Sequence, residues 1–419
     1  MIAIYDKPVY ILAAARTPIG RFNKSLSSFT APELGGKAIA GALQRANCSP
    51  ETVEMVSMGC VVSSGLGESP AKQAALHGGL QPDIYSRSIE SVCGSAMEAI
   101  VSTIDVLLLD RIQLGVAGGM ESRTNAPYLL SPTFMRKSAN YARGQRLQLK
   151  KAGAYRWQFD DNIEEQVKIS SIIDATAYDG LFWTPEKKFM REYALVYAKA
   201  HAITLEEVNR QAALSHQKAR TAQSQGFFDD EIVPIGDVLK DDLVTSEKLS
   251  RMQQEAETDI ACGYNTSIPA DNGSAIVLCS EEFISRHPSR PMARVLGFSR
   301  IDRPAAGFID SPVEAINSLL TELESTGIPR SQFEILEINE AFGIQLPVFV
   351  KNFPDKQINV NGGAIALGHP LGAAAARLLT TMLYAMKRLG IRYGITAICF
   401  GGGGSYALAV EMAQGNGLN

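Results

Sequence analysis

The 419-residue sequence has no run of about 18 apolar residues, the length that a membrane-spanning helix needs. Its start, MIAIYDKPVYILAAARTP, lacks the apolar segment of a signal peptide and the arginine-rich face of a transit peptide. A basic excess is also missing, since 40 Lys and Arg stand against 44 Asp and Glu. These absences predict a cytoplasmic protein that neither spans a membrane nor binds nucleic acid in general.

Cysteine is sparse, and no CxxC spacing occurs. Motifs for nucleotide phosphates, dinucleotides, HExxH zinc sites and GxSxG nucleophile elbows are missing, as are metal ligands at suitable spacing. We therefore expect reduced thiols and no bound metal, with any special cysteine reactive rather than bridged. The six cysteines are Cys48, Cys60, Cys93, Cys262, Cys279 and Cys399.

A weak internal repeat points to two similar halves. Residues 31–60 align without a gap on residues 311–340, and Pro32 falls on Pro312. Each segment reads as a helix, a short turn and an alternating apolar strand. The pattern predicts two α/β halves with mixed sheets covered by helices, although chance similarity of two helix–turn–strand units is the alternative.

The stretch between the halves differs from both in being richer in charge and aromatic residues. It contains the helix-like run TLEEVNRQAALSHQKARTAQSQG. Long insertions of this kind usually shape a substrate site. We therefore predict a first half over 1–120, an inserted substrate-binding loop domain over 121–275 that returns to the first half, and a second half over 276–419.

Cys93 lies in SIESVCGSAMEAIVSTIDVLLL, where an extended stretch leads through small residues into a helix. That places the thiol at a helix N-terminus, where free N–H groups and the helix dipole favour the nucleophilic thiolate. The alternative is an inert cysteine packed among small residues.

His369 lies in a Gly-His-Pro turn that opens an alanine-rich helix. Glycines on both sides let backbone and ligand approach closely, and Pro370 suits the start of a helix. This rigid setting favours a fixed imidazole that acts as a base or hydrogen-bond donor over a merely structural histidine.

Two further segments place polar groups after apolar strands. ITAICFGGGGSYALAV places Cys399 near four glycines at the end of an apolar strand. The backbone N–H groups of these glycines are suited to stabilise an oxyanion, and the thiol is suited to transfer a proton. EILEINEAF places Asn339 and Glu340 at a strand end, where catalytic residues of α/β folds gather. The alternatives are a flexible glycine turn and an Asn-Glu turn without a role.

Together these segments resemble the signatures of the thiolase family. VCGSAMEAI resembles its nucleophile motif, NEAF its Asn-Glu-Ala-Phe motif, NVNGGAIALGHPLGA its Gly-His-Pro motif, and CFGGGG its C-terminal cysteine–glycine motif. AGGMESRTNAPYLL and the opening VYILAAARTPIGRF are also similar to thiolase segments. The resemblance covers residues 8 to 412 and implies duplicated α/β halves in an αβαβα layered arrangement with a large loop insertion.

The resemblance implies a Claisen condensation, or its reverse, on coenzyme A (CoA) thioesters. Cys93 would hold the acyl group, and His369 would take the Cys93 proton. Cys399 would deprotonate acetyl-CoA. A water on Asn339 with the His369 N–H would form one oxyanion hole, and the N–H groups of Cys93 and Gly401 the other. CoA, acetyl-CoA and 3-ketoacyl-CoA would be substrates, no cofactor would stay bound, and a homodimer or homotetramer is expected.

The departures from the family fall mainly in the insertion. Phe189-Met190-Arg191 stands where His-Met-Gly is common, which implies a CoA contact at Met190. Ser267 is the match for the family's pantetheine-contacting serine. An active short-chain or long-chain acyltransferase is therefore one hypothesis, and the GGMES and NAPYLL stretches favour short chains. A protein that binds acyl-CoA or lipid with little or no turnover is the other.

Overall fold

The computed structural model describes residues 1–130, 172–288 and 290–413. Residues 131–171 of the predicted insertion therefore lie outside the described residues. No helix within the described ranges is both long and apolar enough to cross a membrane. The predicted division at residues 120 and 275 stays a prediction.

Fifteen strands form within the described residues. They are β1 (Ile2–Arg16), β2 (Gly20–Arg21), β3 (Met55–Gly59), β4 (Tyr85–Ile89), β5 (Leu114–Ser122), β6 (Tyr128–Leu130), β7 (Ile172–Asp174), β8 (Phe182–Trp183), β9 (Lys188–Phe189), β10 (Ala270–Ser280), β11 (Ala293–Ile301), β12 (Phe333–Ile338), β13 (Gln357–Ile358), β14 (Tyr393–Phe400) and β15 (Gly404–Met412). β6 pairs with β7 and β8 with β9, whereas the other eleven strands form one mixed sheet.

The main sheet contains the same five-strand pattern twice. Its order is β4-β3-β5-β10-β1-β11-β15-β14-β12-β13, with the short β2 beside β10. β3 runs parallel to β4 and β5, and β12 runs parallel to β13 and β14. β10 is antiparallel to β5 as β15 is to β14, and the antiparallel pair β1–β11 joins the halves. The predicted duplicated α/β halves with mixed strands are confirmed.

Helices cover both faces of this sheet. They are α1 (Ala31–Ala46), α2 (Pro70–His77), α3 (Ser95–Leu108), α4 (Ala175–Leu181), α5 (Met190–Ala200), α6 (Leu205–Ser224), α7 (Ser246–Glu255), α8 (Glu281–Arg286), α9 (Ser311–Ser325), α10 (Gln345–Asn352), α11 (Ala364–Leu367) and α12 (Ala374–Leu389). Single 3₁₀ turns occur at Pro50–Thr52, Ala305–Phe308, Arg330–Gln332 and Leu371–Ala373.

The packing of these helices produces five layers. α1 and α2 cover the outer face of the first half-sheet, where Val56 and Met58 point, and α9 and α10 cover the outer face of the second half-sheet. α3 and α12 contact each other and lie between the half-sheets in a shared core. Because successive strand residues face opposite sides, Met55 enters that central core while Val56 enters the outer one.

The aligned segments of the two halves adopt the same local structure. α1, a 3₁₀ turn and β3 in the first half correspond to α9, a 3₁₀ turn and β12 in the second. α1 begins with a capping box, since the Thr30 side chain accepts from the Glu33 N–H and Glu33 accepts from the Thr30 N–H. α1 ends at Asn47, which takes the left-handed conformation. Local signals therefore fix the bounds of this unit.

Glycines bring the two halves into close contact beside the central helices. A Cβ placed on Gly119 of β5 would lie 2.0 Å from the carbonyl oxygen of Gly372, in the turn that opens α12. A Cβ on Gly372 would lie 2.8 Å from the Cα of Cys60. Both positions therefore require glycine, because a side chain there would collide with the backbone of the other segment.

Candidate active site

Six of the seven residues singled out by sequence line one cavity of about 480 Å³. The seventh, Asn339, contacts His369 at the nitrogen that also faces Cys93, with its Nδ2 3.4 Å from the His369 Nε2. The six lining residues are Cys93, Met190, Ser267, His369, Cys399 and Gly401. They come from both halves and from the segment between them, so only folding brings them together.

Cys93 occupies a constrained turn between β4 and α3. The preceding residue, Val92, has φ 48°, a left-handed conformation that is strained for a β-branched residue. Ser95 fastens this turn, because its Oγ accepts from the Ser91 N–H at 2.8 Å and donates to the Val92 carbonyl at 2.6 Å. The backbone therefore holds the Cys93 thiol in a fixed position at the cavity.

The sulfur of Cys93 lies 3.2 Å from the His369 Nε2. Burial raises the pKa of Cys93 well above its usual value, and nearby Cys399 raises it further. The charge of Arg123 and the N–H groups of Gly401 and Cys93 act in the opposite direction. Burial also lowers the pKa of His369 to about 3, assisted by the charges of Arg123 and Arg377.

The pair therefore rests as a neutral thiol and a neutral imidazole. The expectation that the helix N-terminus favours a Cys93 thiolate is wrong for this resting state, because burial outweighs the local dipoles. Any proton transfer between the two must accompany bond formation at sulfur, when charge moves onto another atom.

The His369 backbone and the residues around Asn339 hold these groups in place. The His369 N–H donates to the Ile268 carbonyl at 2.8 Å. Glu340 is buried and accepts from Ser215 Oγ at 2.7 Å and from Asn359 Nδ2 at 2.8 Å. It therefore anchors the turn rather than lining the cavity. The Oδ1 of Asn339 is buried and has no hydrogen-bond partner among the described residues.

Cys399 is the penultimate residue of the buried strand β14 and receives a hydrogen bond that the sequence did not predict. Gln345 Nε2 donates to its sulfur at 3.4 Å and also donates to the Ile309 carbonyl at 3.2 Å. Burial raises the pKa of Cys399 to about 11, whereas the Gln345 N–H and its own N–H lower it. Gln345 therefore both orients the thiol and eases its ionisation.

The glycine run after Cys399 is a specific turn rather than a flexible one. Gly403 has φ 108°, and a Cβ there would lie 2.2 Å from the Arg303 carbonyl oxygen. The backbone N–H groups of Gly401 and Cys93 lower the pKa of the Cys93 thiol. Both N–H groups therefore lie beside the atom that would carry an acyl group.

The altered insertion residues form part of the cavity wall. Met190 begins α5 and is buried, whereas Phe189 is 44% exposed, and both line the cavity. Arg191 lines the cavity as well, and its Nη2 donates to both carboxylate oxygens of Asp259 at 2.8 Å. Ser267 Oγ donates to the Ala341 carbonyl at 2.9 Å while lining the cavity.

A buried arginine at this cavity was missed by the sequence reasoning. Arg123 directly follows β5, is 3% exposed, and lines the cavity with Cys93 and His369. The sequence signal for Arg123 was its position directly after the GGMES segment, where a charged residue follows the end of a strand.

Comparisons with known proteins agree with this geometry. The chain matches the thiolase N-terminal domain over residues 9–282 and the thiolase C-terminal domain over residues 289–412. It is 34% identical to the cytosolic acetyl-CoA acetyltransferase ERG10 of Gibberella zeae, over 97% of this chain and 99% of that protein. It is 33% identical to the acetyl-CoA acetyltransferase of Cupriavidus necator, over 96% of this chain and 99% of that protein.

A solved structure extends the likeness to the fold. The crystal structure of the Acat5 thiolase from Ascaris suum in complex with coenzyme A has a TM-score of 0.81. It shares 29% sequence identity, and the match covers 97% of this chain and all of that one. The chain therefore belongs to the thiolase family. It is an acyltransferase with the thiolase fold, as the sequence motifs predicted.

Proposed function

We propose that this thiolase catalyses the reversible condensation of two acetyl-CoA molecules to acetoacetyl-CoA and CoA, through an acyl group on Cys93. The observation that carries the proposal is the 3.2 Å contact between the Cys93 sulfur and His369 Nε2, in one cavity with Cys399. The names of its relatives support acetyl-CoA as substrate. A short acyl group also suits a cavity of about 480 Å³.

The first step transfers an acetyl group to Cys93. The sulfur bonds to the thioester carbonyl carbon, its proton passes to His369 Nε2, and the bond to CoA breaks. Cys399 donates its proton to the departing sulfur, so that CoA leaves as the thiol. This leaves an imidazolium on His369 and a thiolate on Cys399. The hydrogen bond from Gln345 supports that thiolate.

The second step forms the carbon–carbon bond. The Cys399 thiolate removes a proton from the methyl group of a second acetyl-CoA, and the resulting carbon attacks the acyl carbon on Cys93. The bond from that carbon to the Cys93 sulfur then breaks, and His369 returns its proton to the sulfur. Protons and charges thus return to their starting positions.

Two sets of donors serve the two oxygens that gain negative charge. The N–H groups of Gly401 and Cys93 stabilise the oxygen of the acyl group on Cys93. The imidazolium N–H of His369, with a water held by Asn339, stabilises the enolate oxygen of the second acetyl-CoA. The unpartnered Asn339 Oδ1 supports this assignment, because it is free to accept from a water.

Ser267 and Met190 are proposed to contact the pantetheine arm of CoA. Both line the cavity in which the thiols lie, and Ser267 exposes a hydroxyl that also accepts hydrogen bonds. No cofactor is required to stay bound, since every proton transfer above uses a side chain of this chain. Activity that survives exhaustive dialysis against a chelator supports this point, and activity restored only by a metal contradicts it.

We further propose a cytoplasmic homo-oligomer, either a dimer or a tetramer. β4 ends the main sheet with no further strand beside it among the described residues, and its Tyr85 is 54% exposed. Such an edge readily pairs with another copy. One relative, the acetyl-CoA acetyltransferase ERG10 of Gibberella zeae, is named as cytosolic. Sedimentation of the purified protein tests the assembly, and fractionation of cells tests the location.

The decisive experiment is thiolysis of acetoacetyl-CoA and of a longer 3-ketoacyl-CoA, with mass spectrometry of the quenched protein. We expect turnover of acetoacetyl-CoA and an acetyl group on Cys93. Turnover of the longer substrate alone would replace the short-chain assignment with a long-chain one. Tight acyl-CoA binding without turnover or adduct would overturn the catalytic proposal.

A further inference from the structure

Arg123 brings a positive charge into the cavity, and few groups among the described residues bond to it. Its Nη2 donates to the Thr176 carbonyl at 3.3 Å. Its Nε is buried and has no hydrogen-bond partner in the part of the chain that the structure describes. A guanidinium carries five N–H donors, so most of the donor capacity of Arg123 is unused by the described residues.

The other deeply buried arginines differ from Arg123 in this respect. Arg16 bonds Glu231 at 2.6 Å and Asp241 at 2.7 Å, and Arg377 bonds Glu337 at 3.1 Å. Within residues 1–130, 172–288 and 290–413, no carboxylate forms an ion pair with Arg123. A buried charge is costly unless it is paired, which marks Arg123 as a group that awaits an anionic partner.

The nearby carboxylates accept hydrogen bonds from donors other than Arg123. The oxygens of Glu121 accept from the N–H groups of Val61, Val62 and Gly372 at 2.8 to 3.2 Å. Asp271 accepts from the Thr124 hydroxyl and N–H. Glu121, Asp174 and Asp271 therefore influence Arg123 at longer range without bonding to its guanidinium.

We propose that Arg123 binds a carboxylate at the far end of longer acyl groups, so that this thiolase, besides transferring acetyl groups, prefers acyl groups derived from short dicarboxylic acids to uncharged acyl groups of the same length. The inference deepens the proposed function and rests on the acyl group being held by Cys93. Arg123, Cys93 and His369 line one cavity, so a carboxylate on a short acyl group held by Cys93 would share that cavity with the guanidinium. The positive charge of Arg123 also lowers the pKa of both Cys93 and His369, as expected for near neighbours.

The reaction is the ordinary thiolysis with a carboxylated substrate. In 3-oxoadipyl-CoA, the Cys93 sulfur bonds to C3, its proton passes to His369 Nε2, and the C2–C3 bond breaks. C2 takes a proton from Cys399 and leaves as acetyl-CoA. The sulfur of a CoA thiol then attacks the succinyl group on Cys93 and gives its proton to Cys399. The bond to the Cys93 sulfur breaks, His369 returns its proton to that sulfur, and succinyl-CoA departs. No oxidant or reductant is needed, and the distal carboxylate stays unchanged beside Arg123.

The test compares two substrates of equal chain length, 3-oxoadipyl-CoA and the uncharged 3-oxohexanoyl-CoA. We expect the wild-type protein to have a kcat/KM for the carboxylated substrate at least about 10-fold higher. Arg123→Met is expected to lower that ratio roughly 30-fold or more, because it removes the buried partner of the carboxylate. Arg123→Lys keeps the charge and should retain part of the preference. Arg286→Met, at an exposed side chain on α8, serves as the control and should leave the ratio unchanged.

A binding measurement keeps the proposal testable if the variants do not fold. Succinyl-CoA should inhibit wild-type thiolysis of acetoacetyl-CoA at concentrations at least about 10-fold lower than butyryl-CoA does. Equal inhibition by succinyl-CoA and butyryl-CoA would overturn the inference. An equal loss of activity toward both substrates in Arg123→Met would also overturn it, and would indicate that Arg123 acts on the charge of Cys93 instead. Turnover of acetoacetyl-CoA without a carboxylate preference refutes only this inference. Absence of any Cys93 adduct refutes the proposed function and this inference with it.

Discussion

Gly119 and Gly372 touch through their backbones, and a methyl group on Gly119 would lie 2.0 Å from the Gly372 carbonyl oxygen. Gly119 belongs to β5 of the first half, and Gly372 follows the Gly-His-Pro turn of the second. Glu121, also on β5, accepts from the Gly372 N–H at 2.8 Å. This contact sets how far His369 stands from Cys93, because it ties the histidine turn to the half that carries the nucleophile.

Substituting Gly119→Ala should therefore separate the two halves at the active site. Overpacking against backbone has no flexible side chain to relieve it, so we expect a loss of about 3 kcal/mol in the free energy of unfolding and little remaining activity. Urea denaturation and a thiolysis assay measure the two effects. Gly263→Ala is the matched control, since its Cβ would meet only the Met252 Cε at 3.4 Å. Equal stability of both variants would contradict the argument.

Replacing Cys93 by alanine should abolish turnover and the acyl adduct. The nucleophile has no substitute among the described residues, since none of the others combines the His369 contact with the Gly401 N–H. We expect at least a 1,000-fold loss of kcat, on the order of what removal of a catalytic nucleophile costs. Mass spectrometry after incubation with acetyl-CoA checks the adduct. Cys262→Ser, at a cysteine outside the cavity, should behave as wild type. An adduct that persists in Cys93→Ala would show that a different residue is acylated.

Cys399→Ala should block carbon–carbon bond formation more severely than acylation. Acylation needs Cys399 only for a proton that water can also supply, whereas the methyl proton of acetyl-CoA has no other base beside it. We expect an acetyl group on Cys93 but no acetoacetyl-CoA, and no exchange of the methyl hydrogens of acetyl-CoA with deuterated solvent. Exchange at the wild-type rate in Cys399→Ala would assign the base elsewhere.

Gln345→Met should slow the same proton abstraction without removing the thiol. The Gln345 N–H lowers the pKa of Cys399, so its loss should raise that pKa and reduce the thiolate. A loss of roughly 10-fold in methyl hydrogen exchange corresponds to one hydrogen bond of about 1.4 kcal/mol to a charged group. Acylation of Cys93 by acetyl-CoA serves as the internal control and should change much less. If acylation and exchange fall together, Gln345 acts on the whole site rather than on Cys399.

His369 should make the folded state sensitive to acid. Its pKa is lowered to about 3 in the folded protein, whereas an unfolded histidine has a pKa near ~6.5. Between these values the unfolded chain binds a proton that the folded chain does not. The free energy of unfolding therefore decreases as pH falls from about 6.5 towards 3, with a slope of at most ~1.4 kcal/mol per pH unit from this group.

Urea denaturation of the wild-type protein and of His369→Gln at pH 7, 5.5 and 4.5 tests this sign. The variant lacks the titrating imidazole, so the difference in stability between the two proteins should shift in favour of the variant as pH falls. His216, whose pKa burial also lowers, is present in both proteins and cancels in the comparison. A difference that is independent of pH would contradict the lowered pKa of His369.

Parts of the fold and site were predictable because their signals are local. The repeat of a helix, a turn and a strand is carried by short-range periodicity and by capping residues such as Thr30 and Glu33. The four motif segments were equally readable, because a turn that presents Cys93 or His369 requires glycine and small residues beside it in sequence. The order of the strands in the sheet has no such local signal.

The sequence by itself determined which residues are present for the chemistry and which elements carry them. Only the tertiary structure decided their protonation states and partners. The neutral state of Cys93 and His369 depends on how completely distant residues bury them. Likewise, the bond from Gln345 to Cys399 joins elements far apart in the chain, and the Arg123 Nε is buried without a hydrogen-bond partner among the described residues. Desolvation and pairing are properties of the packed interior, and no short stretch of sequence specifies them.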